Sequence, residues 1–158
     1  MKNGTLYTLA TDQWLERPID EVFAFFADAM NLEAITPPWL RFSILTPPPI
    51  DMRVGRLIDY KLRLRGIPIR WQSEITAWEP PHRFVDEQRR GPYRIWIHEH
   101  TFAPDRGGTR VRDRVQYAVP GGALVRRFLV APQLREIFDY RARRIAELLA
   151  PCKVEPSP

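Results

Sequence analysis

From Leu57 to Ala118 apolar and polar residues alternate in short segments, and each break in the alternation contains Gly or Pro. The period of two predicts five strands: Leu57–Arg65, Pro68–Trp78, Arg83–Gln88, Tyr93–Phe102 and Thr109–Ala118. Their linkers are too short for parallel crossovers, so they connect as an antiparallel meander. Ahead of them, Leu6–Leu15 reads as a strand. Arg17–Ala27 reads as a short amphipathic helix with Pro18 near its start and Val22, Phe23 and Phe26 on its apolar face. Asn31–Ile35 adds one more helical turn before Pro37-Pro38, and Trp39–Leu45 returns to strand. After Gly121-Gly122 the period changes to that of a helix: Leu134, Ile137, Phe138, Ile145, Leu148 and Leu149 form a stripe opposite Arg135, Arg143 and Arg144. Pro132 either begins the main part of this helix or kinks it.

Opposite residues in an antiparallel pair keep a constant index sum, so each turn fixes a register. A turn at Gly66-Ile67 sets Leu64 against Ile69, Leu62 against Trp71, Tyr60 against Ser73 and Ile58 against Ile75. A Glu79–His82 turn sets Ala77 against Phe84, Ile75 against Asp86 and Ser73 against Gln88. The turn at Asp105–Gly108 sets Phe102 against Val111, His100 against Asp113, His98 against Val115 and Trp96 against Tyr117, with Glu99 and Arg114 on the opposite, wet face. The loop around Arg90-Gly91-Pro92 needs an odd residue count to bring Trp96 onto the face of Asp86. An even count selects Tyr93, Ile95 and Ile97 instead.

The predicted inner face is then a wall of Leu62, Leu64, Trp71, Phe84, Trp96, Phe102, Val115 and Tyr117, with Asp86, Gln88, His98, His100 and Asp113 set into it. Buried polar side chains cost roughly 1–3 kcal/mol each when unpaired, so these should be paired, hydrated or used on a ligand. Mostly apolar lining with a few convergent polar groups describes a ligand pocket. The residues expected to touch the ligand are Tyr60, Leu62, Trp71, Phe84, Asp86, Gln88, Trp96, His98, His100, Phe102, Asp113, Tyr117 and Phe138. Three readings of the polar group stand side by side: a structural His100–Asp113 pair across two strands, the polar end of a binding pocket, and acid–base chemistry by His100, Asp113 and His98. His98, His100 and a carboxylate could form a metal set, but neither a metal nor a cofactor is expected.

Size and charge narrow the rest. The chain has 158 residues, 44% hydrophobic and 11% aromatic, which suits one domain over 1–150 followed by a disordered tail at 151–158. Its net charge of +5 comes from 24 Lys and Arg interleaved with 19 acids, without a basic block, so no nucleic-acid partner is expected. Cys152 is the one cysteine, no apolar stretch is long enough to span a membrane, and Met1–Thr11 lacks a signal-peptide core; a cytoplasmic setting is expected. Arg126 and Arg127 beside Phe128 and Leu129 allow at most transient membrane contact. A Tyr93, Ile95 and Ile97 stripe would allow a homodimer as an alternative to a monomer.

The runs Ile35-Thr-Pro-Pro-Trp-Leu, Arg83-Phe-Val-Asp-Glu-Gln, Gly91-Pro-Tyr-Arg-Ile-Trp-Ile-His-Glu-His-Thr-Phe and Asp113-Arg-Val-Gln-Tyr-Ala-Val-Pro-Gly-Gly resemble bacterial proteins of the SRPBCC superfamily. Those relatives are often labelled cyclase/dehydrase or coenzyme-Q-binding-like. The superfamily also holds START-type lipid-transfer domains, the birch-pollen allergen and aromatic polyketide cyclases. The resemblance runs from about Tyr7 to Ala150. It implies an α+β helix-grip fold: a curved seven-stranded antiparallel sheet around a long C-terminal helix, with two short helices after the first strand. It also implies a deep cavity entered near Asn31–Leu40. The superfamily has no universal catalytic motif to carry over. The expected function is binding or transport of a small-to-medium hydrophobic molecule (lipid, quinone or polyketide-like). The alternatives are a cyclase/dehydratase-like enzyme in the same cavity and a structural or protein-interaction domain.

Overall fold

The structure, a computed structural model, describes residues 4–151, so Cys152 and all but the first residue of the expected tail lie outside the described residues. Seven strands form one antiparallel sheet: β1 (Tyr7–Leu15), β2 (Ser43–Ile44), β3 (Leu57–Leu64), β4 (Ile67–Glu79), β5 (Arg83–Arg90), β6 (Ile95–Asp105) and β7 (Gly108–Ala118). Their order across the sheet is β1-β7-β6-β5-β4-β3-β2. Two short helices, α1 (Ile19–Ala27) and α2 (Asn31–Ile35), follow β1. The chain closes with α3 (Gly122–Val125), a π turn (Arg126–Val130) and the long α4 (Ala131–Leu148). This is the helix-grip arrangement.

Three local expectations are corrected. The β3–β4 turn is Arg65-Gly66, which pairs Leu64 with Ile67, Leu62 with Ile69, Tyr60 with Trp71 and Ile58 with Ser73. Both turn residues have positive φ, 51° and 79°, as a twist-matched two-residue hairpin requires, with Gly in the second position. The shift is an even number of residues, so the inward face keeps its side chains. At the β4–β5 end an irregularity between Ile75 and Ala77 sets Phe84 against Trp78 and Ala77 against Val85, while Ile75–Asp86 and Ser73–Gln88 pair as expected. The strand expected over Trp39–Leu45 is a 3-10 turn at Pro38–Leu40 followed by the two-residue β2. Pro37 and Pro38 fix the φ angles for that turn, and Arg41, at φ 45°, ends it.

The remaining registers hold. Phe102, His100, His98 and Trp96 face Val111, Asp113, Val115 and Tyr117, and Asp86 faces His98 across β5–β6. Trp96 therefore shares the face of Asp86. Tyr93 turns inward rather than joining an outer stripe with Ile95 and Ile97: its ring lies 4.7 Å from Trp96 and 5.6 Å from Trp71, centre to centre. Pro132 sits in the first turn of α4, where its missing N–H costs least, and the π turn lies directly before it.

Four arginines of the convex face are matched to acids: Arg83 with Glu79 and Glu99, Arg89 with Glu74 and Glu87, Arg110 and Arg112 with Asp12. The interleaving of charges along the strands becomes cross-strand pairing. Beneath α1 the concave side is filled. Phe23 and Phe26 pack on Phe102 at 5.3 and 5.1 Å, edge to face, with Leu15, Val111 and Ile145 around them. This aromatic plug occupies one end of the grip, and a cavity occupies the other. Among the described residues, no helix is long and apolar enough to cross a membrane.

Candidate functional site: an aromatic cavity with a charged corner

The cavity, of ≈ 200 Å³, lies between the concave faces of β3–β6 on one side and α2 and α4 on the other. Strand alternation aims Ile58, Tyr60 and Leu62 of β3, Trp71, Ser73 and Ile75 of β4, Phe84 and Asp86 of β5, and Trp96, His98 and His100 of β6 into it. Helix α4 contributes Leu134, Ile137, Phe138 and Arg141. Phe25, Phe26, Asp28, Asn31, Leu32, Ile35 and Thr36 line the side of the short helices, and Phe42 and Met52 the loops. Trp39 stays outside, half exposed, with its ring edge-on to Tyr140 of α4 at 5.5 Å; it anchors the loop after α2.

The wall is a cage of rings. Trp71 meets Trp96 edge to face at 5.3 Å and stacks along Tyr60 at 6.0 Å. The polar atoms of this cage satisfy one another: the Tyr60 hydroxyl shares a hydrogen bond with Ser73 Oγ, and Trp71 Nε1 donates to the same oxygen at 3.1 Å. Burial pushes the phenols of Tyr60 and Tyr93 upward, so both stay neutral.

At the boundary between cavity and plug sits the charged corner. The His98 and His100 rings lie 3.8 Å apart, centre to centre, tilted by 34°, and His100 also lies flat on Phe84 at 4.1 Å. His98 Nε2 is 3.2 Å from Asp113 Oδ1, and His100 Nε2 is 3.1 Å from Asp86 Oδ2. His100 Nδ1 approaches Asp113 Oδ1 to 2.7 Å without the alignment of a hydrogen bond, so this contact is an ion pair. Thr11 Oγ1 donates to Asp113 Oδ2 at 3.4 Å from β1. Arg141 Nε stands 3.9 Å from the same oxygen.

The two imidazoles titrate in opposite directions. Burial lowers His98, and the neighbouring His100 charge lowers it further, beyond what Asp113 and Asp86 restore. For His100 burial also acts downward, but Asp113 and Asp86 outweigh it and raise the ring above its ordinary 6.5. Burial acts to raise Asp113, yet His100 and Arg141 hold it well below the carboxylate range; Asp86 is lowered against its own burial by the bond to His100. With His100 protonated and His98 neutral, two carboxylates balance one imidazolium and one guanidinium. Carbon–proton NMR of the imidazoles across pH should show His100 titrating above 6.5 and His98 below it. The reverse order would refute this charge assignment.

Asp86, His98 and His100 are also the one set among the described residues whose ligating atoms, all within 4.8 Å of one another, could hold a metal ion. Binding one there would displace the His100–Asp86 bond.

Of the residues expected to line a pocket, Tyr60, Leu62, Trp71, Phe84, Asp86, Trp96, His98, His100 and Phe138 do face the cavity. Four are placed elsewhere. Gln88 is spent on the β5–β6 turn, donating to Tyr93 O at 2.7 Å and accepting from Tyr93 N at 3.1 Å. Phe102 belongs to the plug and Tyr117 to the core beside Trp96. Asp113 stands behind the two imidazoles rather than at the cavity surface. Sequence reasoning missed Arg141. Its signal was its position: with Leu134, Phe138 and Ile145 it completes the buried stripe of α4 at alternating spacings of four and three.

A family described as polyketide cyclase / dehydrase and lipid transport matches residues 15–145. No curated protein matches the chain. Among solved structures, protein CV1439 from Chromobacterium violaceum superposes with TM-score 0.73 at 16% identity, covering 91% of this chain and 97% of that one. The ginseng major latex-like protein 151 from Panax ginseng gives 0.69 at 13% identity, covering 94% and 100%. Protein Ms6760 from Mycobacterium smegmatis gives 0.68 at 22% identity, covering 90% of each chain. At these identities the likeness is one of fold. The family match spans most of the chain, including every strand from β3 to β7 and all the charged residues of the cavity corner: this protein belongs to the polyketide cyclase / dehydrase and lipid transport family.

Proposed function

We propose that this protein binds a small-to-medium hydrophobic molecule, of lipid, quinone or polyketide type, in the cavity between sheet and α4. The observation that carries this reading is an open space walled by Trp71, Trp96, Tyr60, Tyr93, Phe42 and Phe138 in a molecule whose other end is plugged with rings. Protein interiors are close-packed, and an apolar hollow of this size would otherwise waste dispersion contacts. Family membership supports the same class of ligand. An interaction-only role would call for a filled interior, and the open cavity weighs against it.

The test is binding of N-phenyl-1-naphthylamine, an uncharged dye that brightens in apolar surroundings. Wild type should bind it saturably. Ile137→Trp, which adds bulk from the cavity face of α4, should weaken binding by at least on the order of tenfold, the loss expected when a well-fitting apolar site loses its room. Equal binding by both proteins would place the dye elsewhere and defeat the reading. Native mass spectrometry of protein purified from its own host would identify the resident molecule.

One observation supports a second, enzymatic reading. A neutral His98 and a charged His100 on the cavity wall are a base and an acid side by side, as cyclisation and dehydration of a polyketide require. Turnover of such a substrate that vanished in His98→Gln while binding persisted would move the protein from carrier to enzyme.

A further inference from the structure

We infer that the ligand is a hydrophobic acid, whose carboxylate docks on Arg141. This rests on the cavity-binding reading and names the chemistry that the cavity selects. The side chain of Arg141 is only 12% exposed and lines the cavity. Its guanidinium lies over the rings of Phe26 at 5.6 Å and Phe138 at 6.0 Å. Its Nε is buried without a hydrogen-bond partner among the described residues. The nearest anionic oxygen, Asp113 Oδ2, is 3.9 Å away, outside hydrogen-bond range.

Asp113 cannot close that gap freely. Its Oδ1 is engaged by His98 and His100 and its Oδ2 by Thr11. Asp86, the other carboxylate of the corner, is bonded to His100. The remaining polar groups of the cage, Tyr60, Ser73 and Trp71, satisfy one another. Of the two buried side-chain donors without a hydrogen bond among the described residues, His100 Nδ1 stands 2.7 Å from Asp113 and Arg141 Nε 3.9 Å from it, so the less engaged of the two is Arg141. It is a planar fork with five N–H groups, in a site where water competes poorly. A carboxylate is the planar, bidentate anion that such a fork fits. The rest of the ligand would lie against the aromatic wall.

Calorimetric titration at pH 7.5 with 1-naphthylacetate and with its methyl ester, on wild type, Arg141→Met and Arg141→Lys, decides the matter. Wild type should prefer the acid by on the order of 10–100-fold, the range of a charged hydrogen bond made in a buried site. Arg141→Met should bind acid and ester alike, and Arg141→Lys should recover part of the preference. A wild type that binds ester as well as acid, or a preference that survives Arg141→Met, overturns the inference while leaving the cavity reading intact. If acid, ester and N-phenyl-1-naphthylamine all fail to bind wild type, the cavity reading falls and this inference falls with it. Far-ultraviolet circular dichroism of both variants checks that the fold is retained.

Discussion

Asp113→Asn should destabilise the protein by about 3–5 kcal/mol at neutral pH, the loss typical of removing one partner from a buried ion pair. Asp113 is the counter-charge for two buried cations at once: His100 Nδ1 at 2.7 Å and Arg141 Nε at 3.9 Å, and it also holds His98 Nε2 at 3.2 Å. Asparagine keeps the shape and removes the charge, which leaves Arg141 and a protonated His100 facing each other's field in a low-dielectric corner. The pH dependence has a defined sign. Asp113 is depressed in the folded state, so its contribution is present above its unfolded value of 3.8 and is lost as pH falls through the lower folded value. Urea unfolding from neutral to acidic pH should therefore show a full gap between wild type and variant above about pH 5 that narrows in strong acid. A gap under 1 kcal/mol at neutral pH would mean that the corner is solvated and that its charges are not coupled.

Phe102→Ala should cost about 3–5 kcal/mol as well, through a different mechanism and without touching ligand affinity. Phe102 is 3% exposed and is the ring on which Phe23 and Phe26 of α1 and Phe84 of β5 converge. Its truncation opens a void in the plug, which neighbouring rings can only partly fill. Because Phe102 does not line the cavity, N-phenyl-1-naphthylamine should bind the folded variant as it binds wild type. Calorimetric melting and dye titration on the same sample read the two effects separately. A marked loss of dye affinity would return Phe102 to the binding site and show that plug and cavity are one compartment.

How far the sequence could be read differs from one strand pair to the next. Where a hairpin is tight and glycine fixes its turn, as at Arg106-Gly107, every β6–β7 pair follows from alternation, and with them the meeting of His100 and Asp113. At Arg65-Gly66 the same logic applies, since glycine prefers the second turn position, and the expected Gly66-Ile67 turn lies one residue late. The error spared the inward face because it moved partners by an even number. The bulge before Ala77 has no comparable signature, for an extra residue leaves the alternation on either side intact. Which inward residues face a hollow and which face the plug was not legible either. Phe102 and Trp96 look alike along a strand, and only the position of α1 over one end of the sheet separates them. Arg141 was hidden for another reason: on an arginine-rich helix, one arginine on the wrong side of the stripe draws no notice until the rotation of each residue is counted.

That rotation is set by the π turn. A π turn spends an extra residue per revolution, so everything before Arg126 is turned about 100° from where an unbroken α-helix would place it relative to α4. In an unbroken helix Leu124 would approach the stripe of Leu134, Phe138, Arg141 and Ile145. With the extra residue, Leu124 and Phe128 point the opposite way and are 71% and 63% exposed. The final helix therefore carries two apolar surfaces in different rotational phase, one turned to the cavity and one to the outside. A single inserted residue lets one continuous stretch of chain close the interior and still present leucine and phenylalanine to the medium.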